Sequence, residues 1–369
     1  MFIRVGITEL EYFEQTSPRW TLFILIALLL GAFPGITISQ DIQLLKSSYP
    51  LFDTHEPLEI TLEFDIKKVL RDRGEETDYH PLFVSFGKDK IERQSVAAQV
   101  KVRGNFRKKR KNCRFPPLRM RFETDSVSGT VFKGQKKLKL VTHCQTKRSE
   151  YQQYVLQEYL IYRSYNIISD KSFRVRLVKI NYKDLREKDD TFTRYGFLLE
   201  DEDKMAKRLG GRILDVKNVH PNLTDYELGN LLAIFQYMIG NTDWSISALH
   251  NIKLVMPKNE QTPYAIPYDF DWSGIIDAGY ARPNPILNIQ SIRQRLFRGF
   301  CRSPEAFSEA FMIFNAKKDS IYALYRELLP ILSKEELQQA TGYLDEFYTT
   351  INDPEESNKE ILAACRTDR

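Results

Sequence analysis

The chain of 369 residues has little of several features that mark common classes of protein. It has four cysteines and no Cys-x-x-Cys pair, which argues against a zinc ribbon. Its formal net charge is only +5, so charge gives no reason to expect nucleic-acid binding. It has no internal repeat, no extended low-complexity tract and no Gly-x-Gly-x-x-Gly phosphate loop. What is left is a globular chain long enough for two lobes with a sizeable core.

One long apolar run lies close to the N-terminus, at Thr21–Ala32. Its length is typical of the h-region of a signal peptide, and small residues after it fit cleavage before Gln40. Because the stretch before the run is long and contains several glutamates, either translation starts downstream or residues 1–39 remain as a membrane anchor. Both interpretations place residues 40–369 outside the cytoplasm, in contact with a membrane only through the N-terminal segment.

The expected compartment changes the interpretation of the cysteines, because disulfides are the usual state of cysteines in an oxidising environment. Cys113 and Cys144 flank two consecutive predicted strands, Pro117–Glu123 and Leu138–Val141, and form the favoured pair. The alternative is that both are buried free thiols.

The hydrophobic pattern divides the rest of the chain into a β-rich half and a helical half. Strands are predicted at 58–65, 81–86, 97–102, 118–122, 138–141, 173–181 and 195–199. Helices are predicted at 151–165, 226–239, 289–300, 304–318, 321–332 and 334–350. We therefore expect an α+β protein with a β-rich N-lobe (40–200) containing one helix, a mostly helical C-lobe (201–352) and a frayed polar tail (353–369).

A predicted hairpin in the second half gathers polar residues. A loop after the helix that ends at Gly240 leads into the strands Ile252–Val255 and Tyr264–Tyr268. The loop and the end of the second strand carry Asp243, His250, Asn251, Asp269 and Asp271. Carboxylate and amide oxygens suit Mg²⁺ or Mn²⁺, and phosphoryl transfer needs a further carboxylate to orient the attacking hydroxyl. The alternative is that the acids only cap turns.

This stretch resembles the active-site half of the CotH family of spore-coat-type atypical protein kinases, in the protein-kinase-like superfamily. Other short segments follow in the family's order over residues 95–275, namely 102–105, 134–140, the helix around Glu158, 175–181 and 196–200. The resemblance rests on their order and spacing. It implies a two-lobed protein-kinase-like fold that binds ATP with Mg²⁺ or Mn²⁺ and phosphorylates a hydroxyl, expected to be Ser or Thr of an exported protein.

The resemblance also implies roles for individual residues. Asp243 would orient the acceptor hydroxyl, and Asp269 would bind the metal, helped by Asn251 and Asp271. The residues expected to contact the nucleotide are Lys137 or Lys139, which would pair with Glu158 and hold the phosphates, Arg103 beside a glycine, and Glu200 at the hinge. The alternative is that both lysines face solvent and that 200–203 is a solvated acidic turn. For the basic run 107–114, a solvated hairpin tip is the favoured interpretation.

Several features depart from ordinary protein kinases and keep other functions open. Asp243 and Asn251 are eight positions apart, a wider gap than ordinary kinases have, and Asp271 stands where their metal motif has glycine. His250 has no assigned role. The rivals are a pseudokinase-type binding module, a metal-dependent hydrolase that uses Asp243, His250, Asp269 and Asp271, and a non-catalytic cell-envelope protein.

Overall fold

Seven strands of the first half close into a barrel in the computed structural model, which describes residues 50–87, 93–187 and 191–367. The strands are β1 (Leu58–Phe64), β2 (His80–Phe86), β3 (Gln94–Val102), β4 (Leu118–Phe122), β5 (Lys137–Val141), β6 (Val175–Asp184) and β7 (Thr191–Leu199). Their order around the barrel is β1-β2-β3-β4-β5-β7-β6. Neighbours are antiparallel except β1 and β6, whose parallel pairing closes the barrel.

The barrel follows from the alternating pattern of its strands. In β1, Ile60, Leu62 and Phe64 are buried while the residues between them are more exposed. Leu62 pairs with Val84 of β2, and both side chains belong to the apolar cluster inside the barrel. A slip of one residue would turn every one of these side chains outward, so burial of one face fixes the register.

The second half is mostly helical and carries a small antiparallel sheet. The helices are α1 (Ile66–Arg71), α2 (Glu150–Ile168), α3 (Glu202–Arg208), α4 (Tyr226–Met238), α5 (Pro304–Glu327), α6 (Lys334–Asn352) and α7 (Pro354–Ser357), of which α1 and α2 are inserted between barrel strands. The sheet has the order β10-β9-β8, from β8 (Gly211–Leu214), β9 (Ile252–Pro257) and β10 (Tyr264–Pro267). The predicted hairpin is therefore the β9–β10 pair.

Helix α2 packs between the barrel and the later helices. Its Tyr162 ring contacts Phe197 of β7, and its Tyr165 ring lies 4.7 Å from that of Phe235 in α4. The outer side of the barrel and the helices thus share one apolar cluster, distinct from the cluster inside the barrel. The α+β class is confirmed. The two-lobed division stays a prediction, because Ser47–Arg369 is one compact unit.

Three helical predictions near the C-terminus are wrong. Residues 289–300 form turns but no helix. Their irregular backbone instead buries the side chains of Ile289, Ile292 and Phe297. The two helices predicted at 304–332 are one continuous helix, α5. The tail is not frayed over its described part, since α7 and a further helical turn at Asn358–Leu362 pack there.

Two disulfides tie distant segments together. The predicted Cys113–Cys144 pair is confirmed, and Cys301–Cys365 is a second pair that the sequence did not predict. In the described residues, no helix is both long and apolar enough to span a bilayer. The predicted leader at 1–39 lies outside the described residues.

Candidate functional site

Asn251 connects the two acids that flank the β9–β10 hairpin. Its side-chain nitrogen donates to the backbone oxygen of Asp243 at 2.7 Å and to Asp243 Oδ2 at 3.0 Å. Its backbone oxygen accepts from the Tyr268 nitrogen at 3.0 Å, one residue before Asp269. His250 Nε2 is hydrogen bonded to the other carboxylate oxygen of Asp243 at 2.8 Å. Asp243 is therefore held on both oxygens, beside the strand end that carries Asp269.

The backbone of this region is in an uncommon conformation. Asn251 and Asp269 have φ of 53° and 62°, in the left-handed region that few residues other than glycine adopt, Asn and Asp being the most frequent exceptions. Such residues persist where the surrounding structure holds them, and they occur often at functional sites. Here the hydrogen bonds of Asn251 and the bond from the Asp269 nitrogen to the Tyr162 hydroxyl, at 2.8 Å, supply that constraint.

Arg107 is the centre of the site, and it is the residue that sequence reasoning missed. Its guanidinium is almost fully buried and faces three carboxylates. The distances are 3.7 Å to Glu158 Oε2 of α2, 3.2 Å to Asp269 Oδ1 and 3.4 Å to Asp271 Oδ2. One cation thus joins the barrel loop, helix α2 and the end of the hairpin.

The loop that carries Arg107 is fixed on both sides of it. The Phe106 ring packs against the ring of Trp272, the residue after Asp271, with 5.4 Å between the ring centroids. The Asn112 side-chain nitrogen donates to the Phe106 backbone oxygen at 2.9 Å. Cys113 then joins Cys144 in a disulfide. The prediction of a solvated tip is therefore wrong at Arg107, although several neighbouring basic residues are exposed. The signal that could have found it was Phe106, an apolar residue within a basic run.

The carboxylates of this cluster outnumber the cation that neutralises them. Burial raises the pKa of Glu158 well above its usual value, while Arg107 opposes that shift. Burial also raises the pKa of Asp271 to about 6, against the opposing attraction of Arg107. The Tyr280 hydroxyl donates to Asp271 Oδ2 at 3.0 Å. A site with this excess of negative charge favours a further cation.

The expected pair between Glu158 and a lysine of β5 is not formed, because Arg107 takes that place. Lys139 Nζ lies 3.2 Å from Glu202 of α3, a helix that begins within the stretch 200–203 predicted as a hinge or a solvated acidic turn. Lys253 shares the same carboxylate at 3.3 Å. Lys137 is exposed, whereas Lys139 lies against the Tyr268 ring, with 5.6 Å between Nζ and the ring centroid. Of the two lysines, Lys139 is thus nearer the end of the hairpin.

The other two residues assigned to the nucleotide have separate environments. Arg103 is partly buried, and burial lowers its pKa while the nearby Asp269 carboxylate opposes that shift. Glu200 is buried, and its two carboxylate oxygens accept from Arg208 Nε and Nη2 at 3.0 and 2.8 Å. Its carboxylate also accepts from the Arg174 nitrogen at 3.0 Å, so this side chain has a structural role at the junction of β6 and α3.

Comparison with known proteins does not assign the chain to a family. No protein-family model and no curated protein matches it. A crystal structure of the Golgi casein kinase aligns at 13% identity over 81% of this chain and 77% of that chain, with a TM-score of 0.32. A structure of the Golgi casein kinase with Mn/ADP bound aligns at 12% identity over 78% and 75%, also at 0.32. Similarity this low carries no argument about function.

The site offers oxygen ligands for a hard divalent cation. Asp269 Oδ1 is engaged by Arg107, whereas its Oδ2 makes no hydrogen bond or ion pair within the described residues, and the side chain is 38% exposed. Because the Asn251 nitrogen is held by Asp243, its Oδ1 is likewise left to accept. Asp271 is instead bound by Arg107 and Tyr280. The described residues hold no group of three acidic, histidine or cysteine ligands, so a metal held by these two oxygens would have to take its other ligands from a substrate or from water.

Proposed function

We propose that this protein is an exported, CotH-like atypical kinase that transfers the γ-phosphoryl group of ATP to a protein hydroxyl, of Ser or Thr. The observation that carries the proposal is the double role of Asn251, which holds Asp243 and adjoins Asp269 through its backbone. Phosphoryl transfer needs one carboxylate at the attacking hydroxyl and another at the metal, in a fixed relation. The hairpin supplies both from one rigid unit.

Each residue of the site then has a task in the transfer. Asp243 orients the acceptor hydroxyl and takes its proton as the new P–O bond forms and the bond to the β-phosphate oxygen breaks, which leaves ADP. Lys139 and Arg103, on the barrel side, hold the phosphates of ATP by charge. Arg107 keeps Glu158 and Asp271 in place and orients Asp269. These roles make Arg107 the counterpart of the lysine that pairs with a helix glutamate in other kinases.

Asp269 Oδ2 and Asn251 Oδ1 are the groups proposed to hold Mg²⁺ or Mn²⁺. When bound, the ion would neutralise charge on the phosphates during transfer.

We also propose that the protein works outside the cytoplasm. The two disulfides support this location, because disulfides persist mainly in oxidising compartments. The apolar run Thr21–Ala32 supports it from the sequence.

The test is a thermal-shift titration of the full-length chain with ATP and with Mg²⁺ or Mn²⁺, repeated on Asp269→Asn. The matched control is Asp277→Asn, since Asp277 is exposed and also has a positive φ, of 50°. Asparagine adopts this backbone conformation readily, so neither change should disturb folding. A ligand at about 100 times its Kd stabilises the folded state by about 2.7 kcal/mol.

The expected result is a rise in melting temperature that needs ATP and metal together and that is lost in Asp269→Asn but not in Asp277→Asn. A rise with metal alone would favour the hydrolase, in which Asp243 and His250 act on water. If neither ligand shifts the transition, the nucleotide cleft is refuted and a non-catalytic envelope protein is the better account.

A further inference from the structure

A second, basic cavity lies behind the loop that carries Asp243. Its volume is about 180 Å³, and it is bounded by α4, residues 244–247, residues 298–302 and the C-terminal Arg366. One water needs about 10–15 Å³ of such space, so the cavity has room for several waters. That space is enough for a small four-oxygen anion with part of its hydration.

The charge of the cavity has one sign. Arg298, Arg302 and Arg366 line it, and no aspartate or glutamate does so among the described residues. Arg298 donates to the backbone oxygens of Thr242 and Trp244, which are neutral acceptors, and the Asp243 carboxylate outside the cavity offsets part of its charge. Arg298 and Arg366 line the same cavity. Burial lowers the pKa of Arg298 and Arg366 lowers it further, while Asp243 opposes the shift. Like charges that line one cavity repel each other, and an anion between them would relieve that repulsion.

The Cys301–Cys365 disulfide keeps Arg366 beside the arginines of residues 298–302. Cys365, next to Arg366, is bonded to Cys301. The Arg366 nitrogen donates to the Gly299 oxygen at 2.9 Å, and its oxygen accepts from the Cys301 nitrogen at 3.0 Å. The segment around Arg366 is thus held beside residues 298–302 by one disulfide and an isolated β-bridge between Phe300 and Arg366. A binding site that is held in this way needs little ordering when its ligand arrives.

Neutral hydrogen-bond donors complete the lining. Trp244 is 7% exposed, and its indole Nε1 has no acceptor among the described residues. The Ser247 hydroxyl, which is half-buried, also lies in the lining. A buried donor without an acceptor is costly, and an acceptor-rich ligand would remove that cost.

We propose that this cavity binds a phosphate-type dianion, either inorganic phosphate or the phosphate group of a phosphoserine. Guanidinium groups match the oxygens of such an anion two at a time, and several of them favour a dianion over a single carboxylate. The site does not depend on the proposed nucleotide cleft, because it contains neither Asp269 nor Arg107.

The first experiment titrates inorganic phosphate into the full-length chain by isothermal calorimetry at constant ionic strength. Wild type is compared with Arg366→Gln, and with Arg326→Gln as a control that removes one charge from the exposed side of α5. The expected result is saturable binding that weakens at least about ten-fold in Arg366→Gln and is unchanged in Arg326→Gln. Absence of saturable binding by wild type, or equal weakening in both variants, would overturn the proposal.

A second variant guards against a folding defect in Arg366→Gln. Ser247→Asp puts a carboxylate among the arginines, so it is expected to raise the melting temperature without phosphate and to abolish the response to phosphate. A lower melting temperature with phosphate binding intact would contradict the proposal.

Two further experiments distinguish free phosphate from a phosphopeptide as the ligand, and the basic cavity from the nucleotide cleft as the binding site. A phosphoserine peptide that binds more tightly than inorganic phosphate, while the unphosphorylated peptide does not bind, identifies a protein-borne ligand. Equal affinity for phosphate and phosphopeptide identifies the free anion. Asp269→Asn must bind phosphate as wild type does, and a loss in that variant would assign the signal to the nucleotide cleft and overturn the second site.

Discussion

Replacing Arg107 by glutamine removes the cation of the carboxylate cluster and leaves a polar, somewhat shorter side chain. The side chains of Arg107, Glu158 and Asp271 are 9%, 2% and 7% exposed, so the two ion pairs that they form are buried. Breaking a buried pair by removing one partner costs about 3–5 kcal/mol, because the remaining charge is uncompensated. Asp269 is 38% exposed and adds little, since water screens it. We therefore expect the free energy of unfolding to fall by about 3–5 kcal/mol at pH 7.5.

The destabilisation caused by Arg107→Gln should become smaller as the pH falls. Burial raises the pKa of both Glu158 and Asp271, and loss of Arg107 raises these pKa values further. At lower pH both carboxyl groups are protonated in the folded state, so the missing cation costs less. We expect the loss of unfolding free energy in Arg107→Gln to be clearly smaller at pH 5 than at pH 7.5.

The assay is urea unfolding under non-reducing conditions at both pH values, with the free energy taken from the midpoint and slope. Arg110→Gln is the matched control, because Arg110 is an exposed residue of the same loop and should change stability by no more than about 0.5 kcal/mol. If Arg107→Gln costs no more than this control, or costs the same at both pH values, the reasoning about the buried cluster is refuted.

Two other predictions follow from the described contacts. Replacing Cys301 and Cys365 together by serine opens a loop with a sequence separation of 64, which should lower the free energy of unfolding by about 4 kcal/mol, as measured by urea titration against wild type. Because the pKa of Asp271 is raised from 3.8 to about 6, the folded state keeps a proton that the unfolded chain loses, so stability should fall as the pH rises through that window. Melting curves of wild type and Asp271→Asn over this range check the second prediction, since the variant should lack this part of the pH dependence.

Local patterns predicted the barrel strands well because period-two alternation is a property of a single strand. Leu118–Phe122 is found as predicted, and β1, β2 and β5 differ from their predictions by a residue at most. The hairpin was predicted for the same reason. It places Asp243, Asn251 and Asp269 at one end, although their roles in binding and transfer stay predictions.

Partners that are distant in sequence could not be predicted in this way. Arg107 lies 162 residues from Asp269, and although the neighbouring Phe106 could have indicated a buried position, no local pattern names a partner so distant in the sequence. Sequence reasoning assigned the counter-ion of Glu158 to a strand lysine because ordinary kinases use one. In the structure the strand lysine Lys139 forms an ion pair with Glu202 instead.

The helix predictions were wrong where tertiary packing overrides the local sequence preference for helix. The apolar residues of 289–300 have helical spacing, yet in the structure this stretch is an irregular segment. Its apolar side chains are buried against α6 and α4. The acidic start of α3 looked like a solvated turn. In the structure Asp201 accepts from the Asp203 nitrogen as the N-cap, which explains why acids are favoured there.

The most direct test of the account is transfer of label from γ-labelled ATP to protein, in the presence of Mg²⁺ or Mn²⁺, by the full-length chain and by Asp243→Asn. Loss of a base that acts in the transition state lowers the rate by about 10²–10⁴-fold. The account predicts label on serine or threonine with wild type, and a loss of that size in Asp243→Asn while ATP binding is retained. Equal labelling by both proteins, or release of the label only as inorganic phosphate, would contradict it.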